Sequence, residues 1–442
     1  MASRWLGKNR ICGCCVGLRR MSLLLSIVGV KRAQSRRIAS NLSIITTMNR
    51  RDFLQHTAGA TVLALASRTQ TTAADAPKKF TAAIIGHTGR GNYGHGMELV
   101  FKDRPNIEVV GLADPVESGR AKTQERVQAR RTYADYREML EKERPQLVSV
   151  APRWTDQHHA MVAASLAVGA HVYCEKPFAR TLAEADDLLA RAAKSGRKIA
   201  VAHQGRLAPA TLLLKQKLEA GLIGDLLEIR VHGKQDKRAG GEDLLVLGTH
   251  QFDLVRLFAG DPHWCSARVL QGGREITTAD AHAVTEDIGP IVGDEIAALF
   301  ALPHGVNVHY TSRAKNATVA GPWGLELVGA KGRARLLNDV HTQVYVLRSN
   351  EMTARGQTRE WLPLAAESSR SAAELGGQPT ANRRVVDDWL AAIAEDREPL
   401  CSGFAAMKSL EMIHAIFAAG ISRGRVELPL QSRAHPLAAP SG

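Results

Sequence analysis

A regular alternation of apolar and polar stretches begins near residue 80. Thr81-Ala82-Ala83-Ile84-Ile85 is a short apolar run that stops at Gly86, and Ile107 to Ala113 is a second that stops at Asp114. Segments with apolar residues at helical spacing follow each run: after the glycine cluster as far as Lys102, then near 116–129 and 133–143. The series continues with a strand over Gln146–Ala151, a helix from about Asp156 to Val168, a strand over Ala170–Cys174, a helix over Leu182–Ser195 and a strand over Lys198–His203. Short buried runs alternating with helices predict a parallel sheet covered on both faces, a doubly wound Rossmann-type domain over residues 78–204.

From residue 205 the rhythm changes. Leu226–His232, Asp294–Leu302, Val306–Thr311 and Trp323–Val328 read as strands, with glycine-containing turns such as Pro303-His304-Gly305 between them. Strands without long intervening helices predict a mainly antiparallel sheet in a second α/β domain, residues 205–442. Val385–Glu395 and Phe404–Ala419 read as helices, the second apolar enough to pack back onto the first domain. Ala365–Thr380, rich in Ser, Ala and Gly, reads as a loop, and there is no internal repeat.

A formal charge of +14 raises the question of nucleic acid, and its distribution answers it. Residues 1–75 hold 12 Lys/Arg against 2 Asp/Glu, a net of +10, so the other 367 residues carry 46 against 42, only +4. Nucleic-acid binding loses most of its support. Within the basic part, Arg50-Arg51-Asp52-Phe53-Leu54 precedes a small-residue apolar stretch from Thr57 to Ala66 and then Thr72-Ala73-Ala74. This resembles a twin-arginine export signal, so residues 48–77 are expected to engage the twin-arginine export machinery and send the protein to the periplasm or another extracytoplasmic space. The apolar stretch is too short for a permanent membrane anchor. Residues 1–47 fit badly before such a signal and are expected to be an over-extended start or an extra leader. Cys12, Cys14 and Cys15 have no further ligands at zinc spacing, and Cys174, Cys265 and Cys401 read as buried apolar residues rather than a disulfide framework.

The chemistry gathers at the strand ends of the first domain. Gly86-His87-Thr88-Gly89-Arg90-Gly91-Asn92-Tyr93-Gly94 follows a buried strand, the arrangement in which glycines let a backbone approach a pyrophosphate at a helix start. Gly86, Gly89, Arg90, Gly91 and Gly94 are therefore candidate cofactor contacts. Asp114, at the end of the next strand, is placed to accept bonds from both hydroxyls of an adenosine ribose and to repel a 2′-phosphate, favouring NAD over NADP, although Arg90 leaves NADP open. Pro152-Arg153, Glu175-Lys176-Pro177 and His203 reach the same sheet edge.

At Glu175-Lys176-Pro177 the chain resembles the Gfo/Idh/MocA oxidoreductases. The same ordered set includes the glycine turn, Asp114, Pro152…His158, Gly205-Arg206…Pro209 and Gly240-Gly241…Gly248-Thr249-His250…Asp253, over about Lys78 to Pro429. The resemblance implies a nicotinamide-binding domain followed by a domain with an open antiparallel sheet, activity on sugars, polyols or keto-sugars, and association into homo-oligomers through that sheet. It implies that Lys176 lies close to the nicotinamide and bonds the reacting hydroxyl, and that His250 approaches that hydroxyl as acid or base. Pro152, His158 and Glu175 join the expected cofactor contacts, while Arg153, His203, Arg206 and Asp243 join His250 as expected substrate contacts; no metal site is expected. The chain departs from the family at Val246, where an aspartate is usual, so Asp243 or Glu242 would have to supply a carboxylate from another angle. The reading is an NAD(P)-dependent oxidoreductase. Two alternatives stay open: a redox-neutral lyase or glycoside-cleaving enzyme using transient NAD oxidation, and a non-catalytic nucleotide- or sugar-binding relative.

Overall fold

The computed structural model describes residues 79–314, 323–338, 342–349, 360–364 and 376–438. Residues 48–77, expected to be an export signal, and residues 1–47 lie outside the described residues.

Six strands build the first sheet: β1 (Phe80–Ile85), β2 (Ile107–Ala113), β3 (Arg131–Tyr133), β4 (Leu147–Val150), β5 (His171–Cys174) and β6 (Ile199–Val201). Their order is β3-β2-β1-β4-β5-β6 and every pairing is parallel. The connections are helices α1 (Glu117–Val127), α2 (Tyr136–Glu143), α3 (His158–Ala167) and α4 (Leu182–Ser195). In α4 the causes are local. The Thr181 hydroxyl accepts from the Glu184 amide at 3.0 Å, Leu182, Ala185, Leu188 and Ala192 give one buried face, and Gly196 stops the helix in the left-handed region at φ 64°. The strand order reverses between β1 and β4, which opens a crevice at the carboxyl ends of both.

One expected element is absent. No α-helix follows the glycine turn; there is only a short 3-10 turn at Met97–Leu99. Asn92, Gly91, Gly94 and Gly96 all take positive φ, and such a run cannot start an α-helix.

The second sheet has ten strands: β7 (Leu226–His232), β8 (Trp264–Gln271), β9 (Arg274–Glu275), β10 (Glu295–Ala301), β11 (Asn307–Arg313), β12 (Gly324–Gly329), β13 (Arg333–Leu337), β14 (Gln343–Leu347), β15 (Leu362–Pro363) and β16 (Val426–Glu427). Their order is β15-β14-β13-β12-β7-β11-β10-β8-β16 with β9 on β8, antiparallel except between β7 and β11. Alternation sorts its two faces. Ile229, Val231, Ile296, Phe300, Val308 and Tyr310 are buried on one side, while Glu228, Arg230, Glu326, Arg333 and Arg335 form ion pairs on the other.

Helices α5 (Pro209–Glu219), α6 (Gly241–Val246) and α7 (Gly248–Ala259) precede or cover the buried face, and α8 (Gly377–Ala394) and α9 (Gly403–Ser422) return to the first domain. Helix α9 joins the two cores: Ala406, Met407 and Leu410 pack with the first sheet, Met412 to Ala419 with the second. It is apolar enough to cross a membrane, but most of it is buried inside the protein. From α8, fully buried Trp389 lies 6.5 Å from the ring of Phe101 and 6.3 Å from Tyr173. Of the expected loop over 365–380, residues 365–375 lie outside the described residues, while Gly377 to Thr380 are the first turn of α8. Pro379 fits there because the first helical turn has no intrahelical acceptors for its amides. Cys174, Cys265 and Cys401 are free and buried.

Candidate active site

Gly86 ends β1 with no room for a side chain, since a Cβ there would stand 2.1 Å from the Tyr93 ring. Beside it, Gly86, His87, Asp114, Pro115, Tyr136 and Arg137 line a cavity of about 310 Å³ at the carboxyl edge of β1 and β2. Asp114 is fully buried and already oriented: it accepts from the Thr88 amide at 3.1 and 3.2 Å, the Thr88 hydroxyl at 2.7 Å and the Val116 amide at 2.9 Å. A bare glycine backbone, an adenosine-sized hollow and a fixed carboxylate fit a dinucleotide. Arg90 sits differently from the sequence expectation. Its guanidinium meets Asp156 at 2.6 Å and Asp287 at 3.5 Å and covers the Trp154 ring at 4.4 Å. With two carboxylates on it, Arg90 is a poor receptor for a 2′-phosphate, which favours NAD. A Cβ at Gly89 would meet no neighbour, whereas one at Gly91 or Gly94 would press against the backbone of Arg153 or Ala151.

The end of β5 delivers Glu175-Lys176-Pro177, with a cis peptide between Lys176 and Pro177. The Glu175 carboxylate is fully buried, takes the Lys176 amide at 2.9 Å and lies 2.5 Å from His95 Nδ1. Burial would raise its pKa, but His95 and Lys176 outweigh burial and hold it at about 2. Lys176 is 5% exposed, and its Nζ donates to the main-chain oxygen of Val246 at 3.2 Å. Its pKa is lowered by burial, against the pull of Glu175 and Glu286, with Arg238 and Arg153 adding to the fall.

At Val246 a main-chain carbonyl, rather than a side-chain carboxylate, thus receives the lysine. Asp243 does not replace the carboxylate: it is fully buried and accepts from the amides of Lys234 at 3.1 Å and Gln235 at 3.0 Å and the hydroxyl of Ser312 at 2.6 Å. It fixes the loop after β7 and does not line the Lys176 cavity. His250, on the first turn of α7, does line it. Burial, then the charges of Lys176, His203 and His95, push its pKa well below the ordinary histidine value, so the ring is neutral at pH 7.

His203 is buried behind His250, its ring 5.5 Å away edge to face and its Nε2 2.9 Å from the Thr249 hydroxyl; burial pushes it down to about 4. Arg206 is locked onto Asp253 by bonds of 2.7 to 3.1 Å and does not reach the cavity. His158 is buried with each ring nitrogen against a carbonyl, Pro152 at 2.7 Å and Pro177 at 2.8 Å, so it clasps two sheet-edge loops together instead of facing a cofactor. The Pro152 carbonyl is one side of that clasp. Arg153 lines the Lys176 cavity and lies 3.7 Å from Glu286.

That cavity, about 300 Å³, lies between the sheet edge and the second domain. Beyond Lys176, His250 and Arg153 it is lined by His95, Glu286, Trp323, Asn338 and Arg384, none of which the sequence reading selected. His95 had a signal, standing between two glycines of the turn; the others come from distant segments that only folding brings together. Among the described residues, no group of three His, Cys, Asp or Glu could hold a metal ion.

A family model described as "Oxidoreductase family, NAD-binding Rossmann fold" matches residues 80–203, and its partner, "Oxidoreductase family, C-terminal alpha/beta domain", matches residues 215–428. D-apiose dehydrogenase of Paraburkholderia graminis is 26% identical over 368 residues, covering 79% of this chain and 90% of its own. Myo-inositol 2-dehydrogenase of Thermotoga maritima is 24% identical over 339 residues, 74% of this chain and 96% of its own. In fold, the chain matches levoglucosan dehydrogenase in complex with NADH and levoglucosan, with a TM-score of 0.63, 19% identity, and coverage of 79% of this chain and 100% of that one. The chain belongs to the Gfo/Idh/MocA oxidoreductase family, and its first domain is an NAD-binding Rossmann domain.

Proposed function

We propose that the protein is an NAD-dependent dehydrogenase of a sugar, polyol or keto-sugar, in which Lys176 and His250 manage the proton of the reacting hydroxyl. The observation that carries this is the convergence of a buried lysine and a neutral histidine on one cavity at the switch-point edge of the sheet. The relatives named above are dehydrogenases of apiose and inositol, which supports the substrate class. When bound, the dinucleotide supplies the acceptor or donor of hydride. The chain's own residues do the rest. Lys176 has three N–H donors and gives one to Val246, leaving two for the substrate oxygen, where its charge stabilises the alkoxide that develops as hydride departs. His250, neutral and beside it, accepts the hydroxyl proton in oxidation and returns it in reduction. Trp323 lines the same cavity.

The test is NADH formation with a panel of sugars and polyols. Lys176→Met is expected to lower kcat by roughly 10²–10⁴ with NADH affinity retained, the range for losing a positioned proton-handling group. Product without net NADH would instead assign a redox-neutral elimination, and sugar binding without product a non-catalytic role.

The paired arginines support a second reading, export of the folded protein with NAD already bound, to work as a homo-oligomer outside the cytoplasm. Changing Arg50 and Arg51 together to Lys is expected to leave the protein in the cytoplasmic fraction. Unaltered export of that variant would remove the twin-arginine route.

A further inference from the structure

The wall of the Lys176 cavity is electrostatically one-sided. Five cations line it, Arg153, Lys176, Lys234, Arg238 and Arg384, against one carboxylate, Glu286. Four of these cations have a partner. Lys176 donates to Val246, Arg238 holds Asp236 through bonds of 3.0 and 2.6 Å, Lys234 lies 3.9 Å from Asp236, and Arg153 lies 3.7 Å from Glu286. Arg384 has none: among the described residues no carboxylate, carbonyl or ring meets its guanidinium. It is partly buried, and burial alone acts on its charge.

A guanidinium keeps its proton in proteins, so it cannot escape desolvation by becoming neutral. A partly desolvated one facing a cavity without a partner is a receptor for an anion, because a planar fork matches carboxylate or phosphate oxygens. Its placement is not incidental. Gln378, Ala381 and Arg384 stand at successive i, i+3 positions of α8, and all three line the cavity. The same helix is fixed to the first domain by Trp389 and by Asn382, whose amide donates to the His95 carbonyl at 3.0 Å. Arg384 is therefore presented from a rigid support.

We propose that the substrate is an acidic sugar, whose oxyanion is bound by Arg384 while its reacting hydroxyl meets Lys176 and His250. This rests on the dehydrogenase reading and adds the charge of the substrate to it. The shared chemistry is an oxyanion on a sugar, from either a sugar acid or a phosphate ester.

The test is calorimetric binding to the purified protein saturated with NADH, using hexoses, their uronates and their 6-phosphates. At least one acidic member is expected to bind tenfold or more tightly than its neutral parent, and Arg384→Gln to erase that ratio while Arg384→Lys keeps part of it. A tighter uronate assigns a carboxylate, a tighter phosphate assigns an ester, and either supports the proposal. Equal binding of neutral and acidic members, or no binding by any acidic member, overturns it. So does an equal loss of NADH affinity in Arg384→Gln, which would give the arginine to the cofactor's phosphates. The two readings fail separately. Acidic sugars bound through Arg384 without NADH formation leave the oxyanion site standing and remove the dehydrogenase. NADH formed alike from neutral and acidic sugars does the reverse.

Discussion

Lys176 and His250 share one cavity, and the lysine's charge adds to burial in making a charged histidine costly. The balance falls on the histidine, whose pKa is driven well below its ordinary 6.5, while Glu175 and Glu286 partly restore the lysine's preference for its charged form. The pH profile of sugar oxidation follows. Activity is expected to fall on the acid side only below pH 6.5, as His250 gains a proton, and on the alkaline side below 10.5, as Lys176 loses one. Glu286 favours the ammonium, so Glu286→Gln lowers the lysine's pKa further and moves the alkaline limb of kcat to lower pH. An alkaline limb that stays in place in this variant would show that Lys176 is not the titrating group. At this scale the motif context located Asp114, Lys176 and His250, which the structure sets in the walls of its two cavities. It did not foresee which polar side chains would be drawn away from the cavity by partners elsewhere. Arg206 is taken by Asp253, Asp243 by the loop after β7, and His158 by two carbonyls. Nothing in residue type separates an arginine held by a carboxylate from one that has no partner among the described residues, so Arg206 drew attention and Arg384 did not.

Five of the six strands of the first domain and its helices α1 to α4 emerged from periodicity because each is defined by its own buried face, and β2 and α4 match the expected bounds; β3, three residues with only Tyr133 buried, carried no such signal and was not expected. The glycine turn did not emerge either, because glycine spacing signals a close backbone approach without fixing the conformation that follows it. Gly91 has φ +84°, and a Cβ there would lie 2.3 Å from the Arg153 amide nitrogen and 2.6 Å from that of Trp154, backbone atoms that cannot swing aside. Gly89 has the same φ of +84° but meets nothing within 4 Å. The pair separates packing from backbone strain. Gly89→Ala is expected to cost about 1–2 kcal/mol, the left-handed penalty alone. Gly91→Ala should cost clearly more, lowering Tm further and weakening NADH binding at least tenfold by displacing the Arg153 segment. Thermal unfolding and NADH fluorescence titration read both effects, and indistinguishable variants would refute the close approach.

Across the whole molecule, the parallel first sheet and mainly antiparallel second sheet were legible, but the order of the ten strands and the single parallel pairing of β7 with β11 were not, since pairing over long separations depends on packing rather than local pattern. Packing also explains the acid response expected of the fold. His171, His203 and His435 are each lowered to about 4, mainly by burial, and His414 on α9 lies well below its ordinary value of 6.5. Burial lowers His414 most, then the charge of His435, whose ring lies 4.6 Å away, and Arg433 adds to the fall, while a bond with the Arg180 backbone works against it. The folded protein keeps these rings neutral, whereas the unfolded chain protonates them below 6.5. Their contribution is therefore complete above pH 6.5 and is lost as pH falls from 6.5 towards 4, each excess proton on the unfolded chain steepening the loss by about 1.4 kcal/mol per pH unit. Glu98 and Asp243, raised by burial, oppose this nearer the acid end, so the histidines govern the upper part of the window. The urea midpoint should drop between pH 7 and 5, and His414→Leu, which removes one of these protonations from the unfolded chain, should flatten the drop even where it lowers the midpoint itself. A midpoint unchanged between pH 7 and 5 would mean that these four histidines do not stay neutral in the folded protein.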